Sequence, residues 1–198
     1  MDRLEDRAEA ILRFWFGDPA DPQGEYGQQR PVWFKKDPAF DATIRQRFLA
    51  DYDQAVSGAL GDWRYAPRTC LALVLLLDQF PRNLFRGSAQ SFASDRAALA
   101  TAYHALDQSY DQQVLPVERV FFYLPLEHSE NLADQDRSVA LVQSLHAAHP
   151  GFESTLDYAL RHREVIQRFG RFPHRNEVLG RATTAAEASF LQQPGSRF

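Results

Sequence analysis

The segment PAFDATIRQRFLADYDQAV, residues 38–56, carries the clearest pattern in this chain. Apolar side chains recur at every fourth position of the segment, at Phe40, Ile44, Phe48, Tyr52 and Val56. Charged side chains lie between them, so the apolar residues form one stripe on a helix of 3.6 residues per turn. The segment therefore predicts an amphipathic α-helix.

The same period recurs along most of the chain, whereas no alternating stretch is followed by a hairpin turn. Further helices are predicted over Glu5–Phe16, Pro67–Gln79, a stretch around Leu99–Leu106, Pro116–Asn131, Asp134–Ala148, a stretch around Phe152–Ile166, and Thr183–Leu191. Short connections between consecutive helices favour antiparallel pairs that stack on one another. We expect an all-α protein built from antiparallel helix pairs.

Prolines, glycines and a serine predict where three of these helices begin or end. The pair Phe80-Pro81 should end the apolar helix, because the residue before a proline avoids the helical conformation. Ser94 can cap the helix that follows, and Gly170 can end a later helix in a left-handed conformation. No linker or shift in composition interrupts the chain, so residues 1–198 are expected to form a single all-helical domain.

Composition narrows the class of protein. The 198 residues, 44% of them hydrophobic, can bury one sizeable core. A formal charge of −4 argues against a partner that is a nucleic acid. The longest apolar run, Cys70–Leu77, is far shorter than the ~20 residues of a membrane-spanning helix. With a single cysteine and a charged amino terminus, a soluble cytoplasmic protein without membrane contact is expected.

A first polar cluster follows the apolar helix, at Asp78, Arg82 and Asn83. Asp78 and Arg82 are four residues apart, but a break in the helix at Pro81 would remove the need for them to pair. Asp78 could serve a ligand site, or it could accept backbone donors or pair with an arginine as a structural element.

A second cluster contains Glu127, His128 and Glu130. A carboxylate beside a histidine can act in general acid–base chemistry, because it raises the histidine pKa. Metal binding is another functional interpretation of this cluster. The spacing matches no strong metal-ligand signature, however, and no metal is predicted. A histidine within a helix–helix contact is the structural alternative.

Two more clusters lie near the carboxyl terminus, at His162-Arg163 and in the segment RFGRFPHRN, residues 168–176. Phenylalanines in this segment favour burial and would carry neighbouring arginines inward, where a guanidinium group is costly unless it is paired. Arginine suits carboxylate or phosphate ligands. The candidate residues here are His162, Arg163, Arg168, Arg171, His174, Arg175, Asn176 and Arg181. We expect the four clusters to converge on one pocket.

No signature of a nucleotide, a dinucleotide or a serine nucleophile occurs in the sequence, and no cofactor is predicted. Cys70 is expected to be a small buried apolar residue rather than a nucleophile.

Several long motifs resemble those of the bacterial domain of unknown function family 924. They are Phe14–Gly17, Val32–Phe34, Leu76–Asn83 with Phe85–Gly87, Tyr123–Glu130, and Arg168–Asn176 with Leu179–Arg181. The resemblance runs in order from about Ile11 to Leu191. It implies a tetratricopeptide-like α–α superhelix and supplies no catalytic role for any residue.

Three hypotheses about function follow. The first is a site for an anionic small molecule, with histidines as proton carriers and with turnover left open. The second is a tetratricopeptide-like module that holds an acidic peptide or protein partner in a groove, without catalysis. The third is a network of buried ion pairs without a ligand, in which Arg171→Ala would destabilise the protein.

Overall fold

The computed structural model describes residues 2–196, with side chains from residue 6 onward, and every regular element in that range is helical. The helices are α1 (Asp2–Phe16), α2 (Pro38–Val56), α3 (Pro67–Val74), α4 (Phe80–Leu84), α5 (Asp95–Asp107), α6 (Pro116–Glu127), α7 (Leu132–Ala148), α8 (Glu153–Phe169) and α9 (Ala185–Leu191). Short 3₁₀ turns lie at Pro31–Trp33, Gly61–Tyr65, Ala89–Phe92, Asp111–Gln113 and Pro173–Arg175. The chain is all-α, as its apolar periodicity predicts.

Helix α2 begins where its sequence supplies a cap. The Asp37 carboxylate accepts hydrogen bonds from the amides of Ala39 (2.9 Å) and Phe40 (3.1 Å). Pro38 takes the first helical position, where a missing N–H costs nothing. The buried members of the apolar stripe are Ile44, Phe48 and Tyr52.

The apolar helix does not end before Pro81, and that prediction was wrong. A π-helical segment, Leu75–Gln79, follows α3, and the helix continues as α4 to Leu84. A wider π turn changes the backbone pairing and so admits a proline within a continuous helix. The Leu77 carbonyl, four residues before Pro81, instead accepts a hydrogen bond from the Ser94 hydroxyl (2.6 Å).

Other predicted boundaries shift by a few residues. Ser94 makes no side-chain cap on α5, contrary to prediction, because its hydroxyl is bonded to the Leu77 carbonyl. The helix predicted to reach Asn131 ends at Glu127, because the Asn131 side chain caps α7. The left-handed end of α8 at Gly170 is confirmed, with φ at 68°.

The described chain divides into two compact units. Unit 1 comprises residues 2–86 and 90–125, and unit 2 comprises residues 87–89 and 126–196. In unit 1, α1 packs against α3, α2 against α4, and α3 against α5. In unit 2, α7 packs against α8, which is joined to it by a short connection. A single domain over residues 1–198 remains a prediction.

Each unit has its own apolar core. Aromatic side chains dominate in unit 1, where the largest fully buried ones include Trp15, Phe16, Phe48, Phe80 and Phe121. In unit 2 the buried residues Val165, Ile166 and Phe172 pack together with the partly buried rings of Phe169 and Phe190.

A search of the described residues for an apolar helix long enough to cross a membrane finds none.

Candidate functional site

The first polar cluster, in unit 1, is an ion-pair network centred on Arg82. Its guanidinium group lies 3.3 Å from the Asp78 carboxylate and 3.0 Å from the Asp95 carboxylate, and it also donates to the Ser91 carbonyl (3.1 Å). Because α4 continues the helix through Pro81, Asp78 and Arg82 form an ion pair, which the sequence left open. Asp78 is fully buried, and its carboxylate also accepts a hydrogen bond from Gln79 (2.5 Å).

Asn83, the third candidate of this cluster, is also engaged within the protein. Its amide donates to the Asp41 carboxylate (2.8 Å), which also accepts two hydrogen bonds from Arg86. The negative charges of this part of unit 1 are therefore met by arginines of the same unit, which is the structural alternative considered from the sequence.

In unit 2, the segment after α8 is organised around Phe172. The left-handed Gly170 ends α8, and a 3₁₀ turn at Pro173–Arg175 follows, so that the Phe172 ring is fully buried. The guanidinium group of Arg175 lies over this ring, 4.4 Å from its centroid, and the Arg175 side chain is only 6% exposed. A cation–π contact of this kind stabilises a desolvated guanidinium group.

Glu130 and Arg181 hold the backbone of Phe172 in place. Glu130 accepts hydrogen bonds from the Phe172 amide (2.8 Å) and from two nitrogens of Arg181 (2.7 and 3.1 Å). Arg181 also donates to the Phe172 carbonyl (3.0 Å). Burial raises the pKa of Glu130, but the hydrogen bonds from Arg181 and from the Phe172 amide outweigh it, and the pKa is lowered. Both candidates therefore have a structural role at this turn.

Arg171 is paired with a carboxylate that the candidate set did not include, that of Glu187. It donates to both Glu187 oxygens (2.6 and 2.9 Å), and the hydrogen bonds from Arg171 and from Thr184 together lower the pKa of Glu187 to about 2. Glu187 also completes a capping box with Thr184 at the start of α9. The Thr184-x-x-Glu187 pattern is a sequence signal that could have identified this residue.

Four further candidates lie around His162, which is buried on α8. Its Nδ1 lies 2.9 Å from the Tyr158 carbonyl oxygen and 3.1 Å from the Glu127 carboxylate. The ring packs edge-on against Phe172, with centroids 5.5 Å apart, and the His128 ring is 6.3 Å away. The ring of His174 lies 5.6 Å from that of Phe172. We call this group, formed by Glu127, His128, His162, Phe172, His174 and Arg175, the Phe172 cluster.

His162 is acted on by three positive groups of the Phe172 cluster and lies beside the Glu127 carboxylate. Burial is the largest effect and lowers the pKa of His162 to about 3; the charges of His128, Arg175 and His174 lower it further, against the bond to Tyr158. His162 is therefore a neutral imidazole near pH 7, and its contact with Glu127 is a hydrogen bond rather than an ion pair.

Asn176 follows the cluster in sequence and is also fully buried. Its Nδ2 lies 3.4 Å from the Thr183 hydroxyl, and within residues 2–196 its Oδ1 has no hydrogen-bond partner.

Two candidates lie at the surface of unit 2. Arg163 donates to Asp136 (2.5 Å), whose side chain is half exposed, and to Gln167. Arg168 is exposed, and its guanidinium group lies over the Phe169 ring at 4.7 Å.

The structure thus brings seven of the candidate residues to two connected places in unit 2, the Phe172 cluster and the Glu130–Arg181 pair. Asp78, Arg82 and Asn83 belong to unit 1, and the convergence of all four polar clusters on one pocket remains a prediction. Among the side chains described, no group of three or more His, Cys, Asp or Glu residues is arranged to hold a metal ion.

Comparisons with known proteins give a family and no activity. The model of the family described as "Bacterial protein of unknown function (DUF924)" matches residues 11–195. A solved protein of unknown function from Agrobacterium tumefaciens, ATU0120, is similar to the chain with a TM-score of 0.82 and 40% sequence identity. The match covers 95% of this chain and 98% of that one. A comparison with curated proteins found no significant match.

Proposed function

We propose that this chain, which belongs to the DUF924 family of bacterial proteins of unknown function, binds a small anion at the Phe172 cluster of unit 2. One observation carries the proposal: the Arg175 guanidinium group and the His174 ring lie against the Phe172 ring, and the His128 ring lies near that of the buried His162. Positive groups gathered around one buried ring favour a negative ligand, because an anion there offsets their mutual repulsion.

The chemistry of the cluster suits a carboxylate or a phosphate. A planar guanidinium group can donate two parallel hydrogen bonds to such an anion, and imidazole N–H groups can donate more. Arg175 is already held over the Phe172 ring, so that little side-chain freedom remains to be lost on binding. The arginines at 163, 171 and 181 each donate to a carboxylate of the chain, and the charge of Arg175 also acts on the Glu130 carboxylate and helps to lower its pKa.

Inorganic phosphate is the first probe, in thermal melting followed by titration calorimetry at about pH 6.5. Phosphate should raise the melting temperature of the wild-type protein by mass action. The shift should be lost in Arg175→Gln, which removes the charge, and should be kept in Arg163→Gln, a matched charge removal at the surface of the same unit. Malonate and citrate test the carboxylate ligands in the same way.

Two results would overturn the proposal. One is a wild-type protein that responds to none of these anions, and the other is an Arg175→Gln protein that is folded and still shows the full phosphate shift. Circular dichroism of each variant establishes that it is folded.

A peptide-binding module on a tetratricopeptide-like superhelix is the second candidate, favoured by exposed apolar residues on α8. Tyr158 is 51% exposed and Leu160 is 45% exposed, and the guanidinium group of Arg161 lies over the Tyr158 ring at 5.7 Å. Such a surface suits an acidic peptide with apolar side chains. A peptide of this kind that binds to Arg175→Gln as well as to the wild type, and not to Tyr158→Ser, would favour this candidate.

A cytoplasmic location is part of the proposal. The single cysteine, Cys70, is buried, and burial raises the pKa of its thiol to about 12, so that it stays protonated. This suits a reducing compartment, where carboxylates and phosphate esters are plentiful ligands.

A further inference from the structure

Arg47, an exposed residue of α2, is held against two aromatic rings of unit 1. Its guanidinium group lies 4.9 Å from the centroid of the Phe14 ring, on α1, and 4.9 Å from that of the Phe48 ring. Cation–π contacts hold a guanidinium group by its flat face, so that its N–H groups are still available as donors. Among the side chains described, from residue 6 onward, no carboxylate forms an ion pair with Arg47.

A second guanidinium group, that of Arg7 on α1, lies over the same buried ring. It is 5.2 Å from the Phe48 centroid, and Arg7 donates to both oxygens of Asp51 (2.7 and 2.5 Å) and to the Arg47 carbonyl. The Asp51 carboxylate, one helical turn after Arg47, is therefore already paired with Arg7. Two positive groups thus lie at one ring with a single carboxylate between them, and this part of the surface of unit 1 is positive.

Other arginines of unit 1 that lie over rings have an oxygen partner within the unit. Arg45 donates to the Leu84 carbonyl, and Arg82 pairs with the Asp95 carboxylate. Arg47 has the same aromatic support as these residues, but the structure gives it no such acceptor in the part of the chain with described side chains. An exposed guanidinium group that is held in place and lacks a carboxylate is suited to one from another molecule.

An apolar surface continues from Arg47 along the Phe14 ring. This ring stacks on that of Phe40, with centroids 5.1 Å apart and planes at 11°, and both side chains are partly exposed. We call the surface formed by Arg7, Phe14, Phe40 and Arg47 the α1–α2 face. It therefore combines positive charge with accessible aromatic area.

We propose that the α1–α2 face binds an acidic peptide segment of a partner protein. A carboxylate of the segment pairs with Arg47, and an apolar side chain packs on the rings of Phe14 and Phe40. The face belongs to unit 1 alone, so that this interaction is independent of the anion site at the Phe172 cluster of unit 2. It is also a different surface from the one around Tyr158 on α8.

The chemistry of the face favours this partner over a free inorganic anion. An inorganic anion would use the charge of Arg47 and leave the rings exposed, whereas an acidic peptide with an apolar side chain uses both. Arginine and aromatic residues are the types that contribute most to protein interfaces. The rings also hold the Arg47 side chain in place, so that less of its freedom is lost on binding. The positive charge would guide an acidic segment to the face.

Titration calorimetry with the blocked peptide Glu-Glu-Phe-Glu-Glu tests the proposal. The wild-type protein should bind this peptide, and added sodium chloride should weaken the binding, because salt screens exposed charges. A peptide with glutamine in place of every glutamate should bind more weakly, since it cannot form the ion pair. A peptide with serine in place of the phenylalanine should also bind more weakly, since it cannot pack on the rings.

Variants of Arg47 identify the surface that the peptide occupies. Arg47→Gln should weaken binding about tenfold or more, because a charge-assisted hydrogen bond is lost. Arg47→Lys keeps the charge but not the planar donor group, and should bind with intermediate affinity. Arg96→Gln is the matched control, a charge removal at an exposed position of α5 in the same unit, and should bind as the wild type does. Circular dichroism establishes that each variant is folded.

Three results would overturn the proposal. The first is a wild-type protein that binds the acidic peptide no more tightly than its glutamine counterpart. The second is a folded Arg47→Gln protein that binds with full affinity. The third is binding that is kept in Arg47→Gln and lost in Tyr158→Ser or in Arg175→Gln, which would place the peptide on α8 or at the Phe172 cluster instead.

Discussion

Unit 1 contains a partly buried arginine and unit 2 a buried one, and their surroundings differ. In unit 1, Arg82 lies between two carboxylates, those of Asp78 and Asp95, and the charges are balanced inside the chain. In unit 2, Arg175 lies over the Phe172 ring, acts together with two histidines on His162, and helps to lower the pKa of Glu130. The ion pairs around Arg82 hold helices of unit 1 together, whereas we propose that the positive groups around His162 bind an external anion.

The largest effect expected from this contrast is a loss of stability in Arg82→Ala. The change leaves the fully buried Asp78 carboxylate without its arginine, and breaking a buried pair in this way costs about 3–5 kcal/mol of unfolding free energy. Urea unfolding followed by circular dichroism measures the loss.

Arg13→Ala is the matched control in the same unit. Its partner Asp18 is 3.8 Å away and both side chains are about half exposed, so the change should stay within about 0.5 kcal/mol of wild type. Equal losses in the two variants would mean that Arg82 is not part of a buried ion-pair network.

A second, smaller effect is a loss of stability in mild acid that comes from His162. Its pKa is lowered to about 3 in the folded protein, whereas an unfolded histidine titrates near 6.5. Between these values the unfolded chain binds the extra proton, so stability falls as the pH is lowered below about 6.5. The loss is about 1.4 kcal/mol per pH unit, or about 2 kcal/mol at pH 5.

His162→Asn isolates this contribution, because asparagine does not titrate. Urea unfolding at pH 7 and pH 5 should show a steeper loss in the wild type than in the variant, by about the 2 kcal/mol given above. Equal pH dependence of the two proteins would show that His162 is protonated without cost and that the cluster around it is not positive.

The sequence predicts the helices well because the signals for each amphipathic helix lie within or next to its own segment. The stripe from Phe40 to Val56 and the cap at Asp37 are local features, and they are enough to place α2. The continuation through Pro81 could not be predicted in the same way. It depends on the Ser94 hydroxyl, which satisfies a carbonyl 17 residues earlier in the chain.

The site was only partly predictable for the same physical reason. The crowding of basic and aromatic residues after α8 marks the position of the Phe172 cluster, because buried phenylalanines carry their neighbours inward. The carboxylate that each arginine binds is set by the tertiary fold. Arg171 and Glu187 are 16 residues apart and Arg181 and Glu130 are 51 apart, so spacing alone cannot separate structural arginines from those available to a ligand.

The smallest loss of stability is expected in Arg171→Ala. This variant also tests whether Arg171 has a structural role or binds the ligand. The variant should melt at a lower temperature than wild type, because the buried Glu187 carboxylate loses two hydrogen bonds. It should lose less than Arg82→Ala, since Glu187 keeps its bonds to Thr184. Arg161→Ala, which breaks an exposed pair with Asp157, should melt close to wild type.

Acid should remove the difference in stability between Arg171→Ala and the wild type. Arg171, together with Thr184, lowers the pKa of Glu187 to about 2, below the usual value of about 4.5. The part of the stability that Arg171 contributes is therefore fully present above pH 4.5 and is lost as the pH falls towards 2. The phosphate-induced shift in melting temperature, by contrast, should be the same in Arg171→Ala as in wild type. The phosphate-induced shift could instead disappear in Arg171→Ala while the stabilities of variant and wild type show the same pH dependence. Arg171 would then bind the anion and would not be a structural arginine.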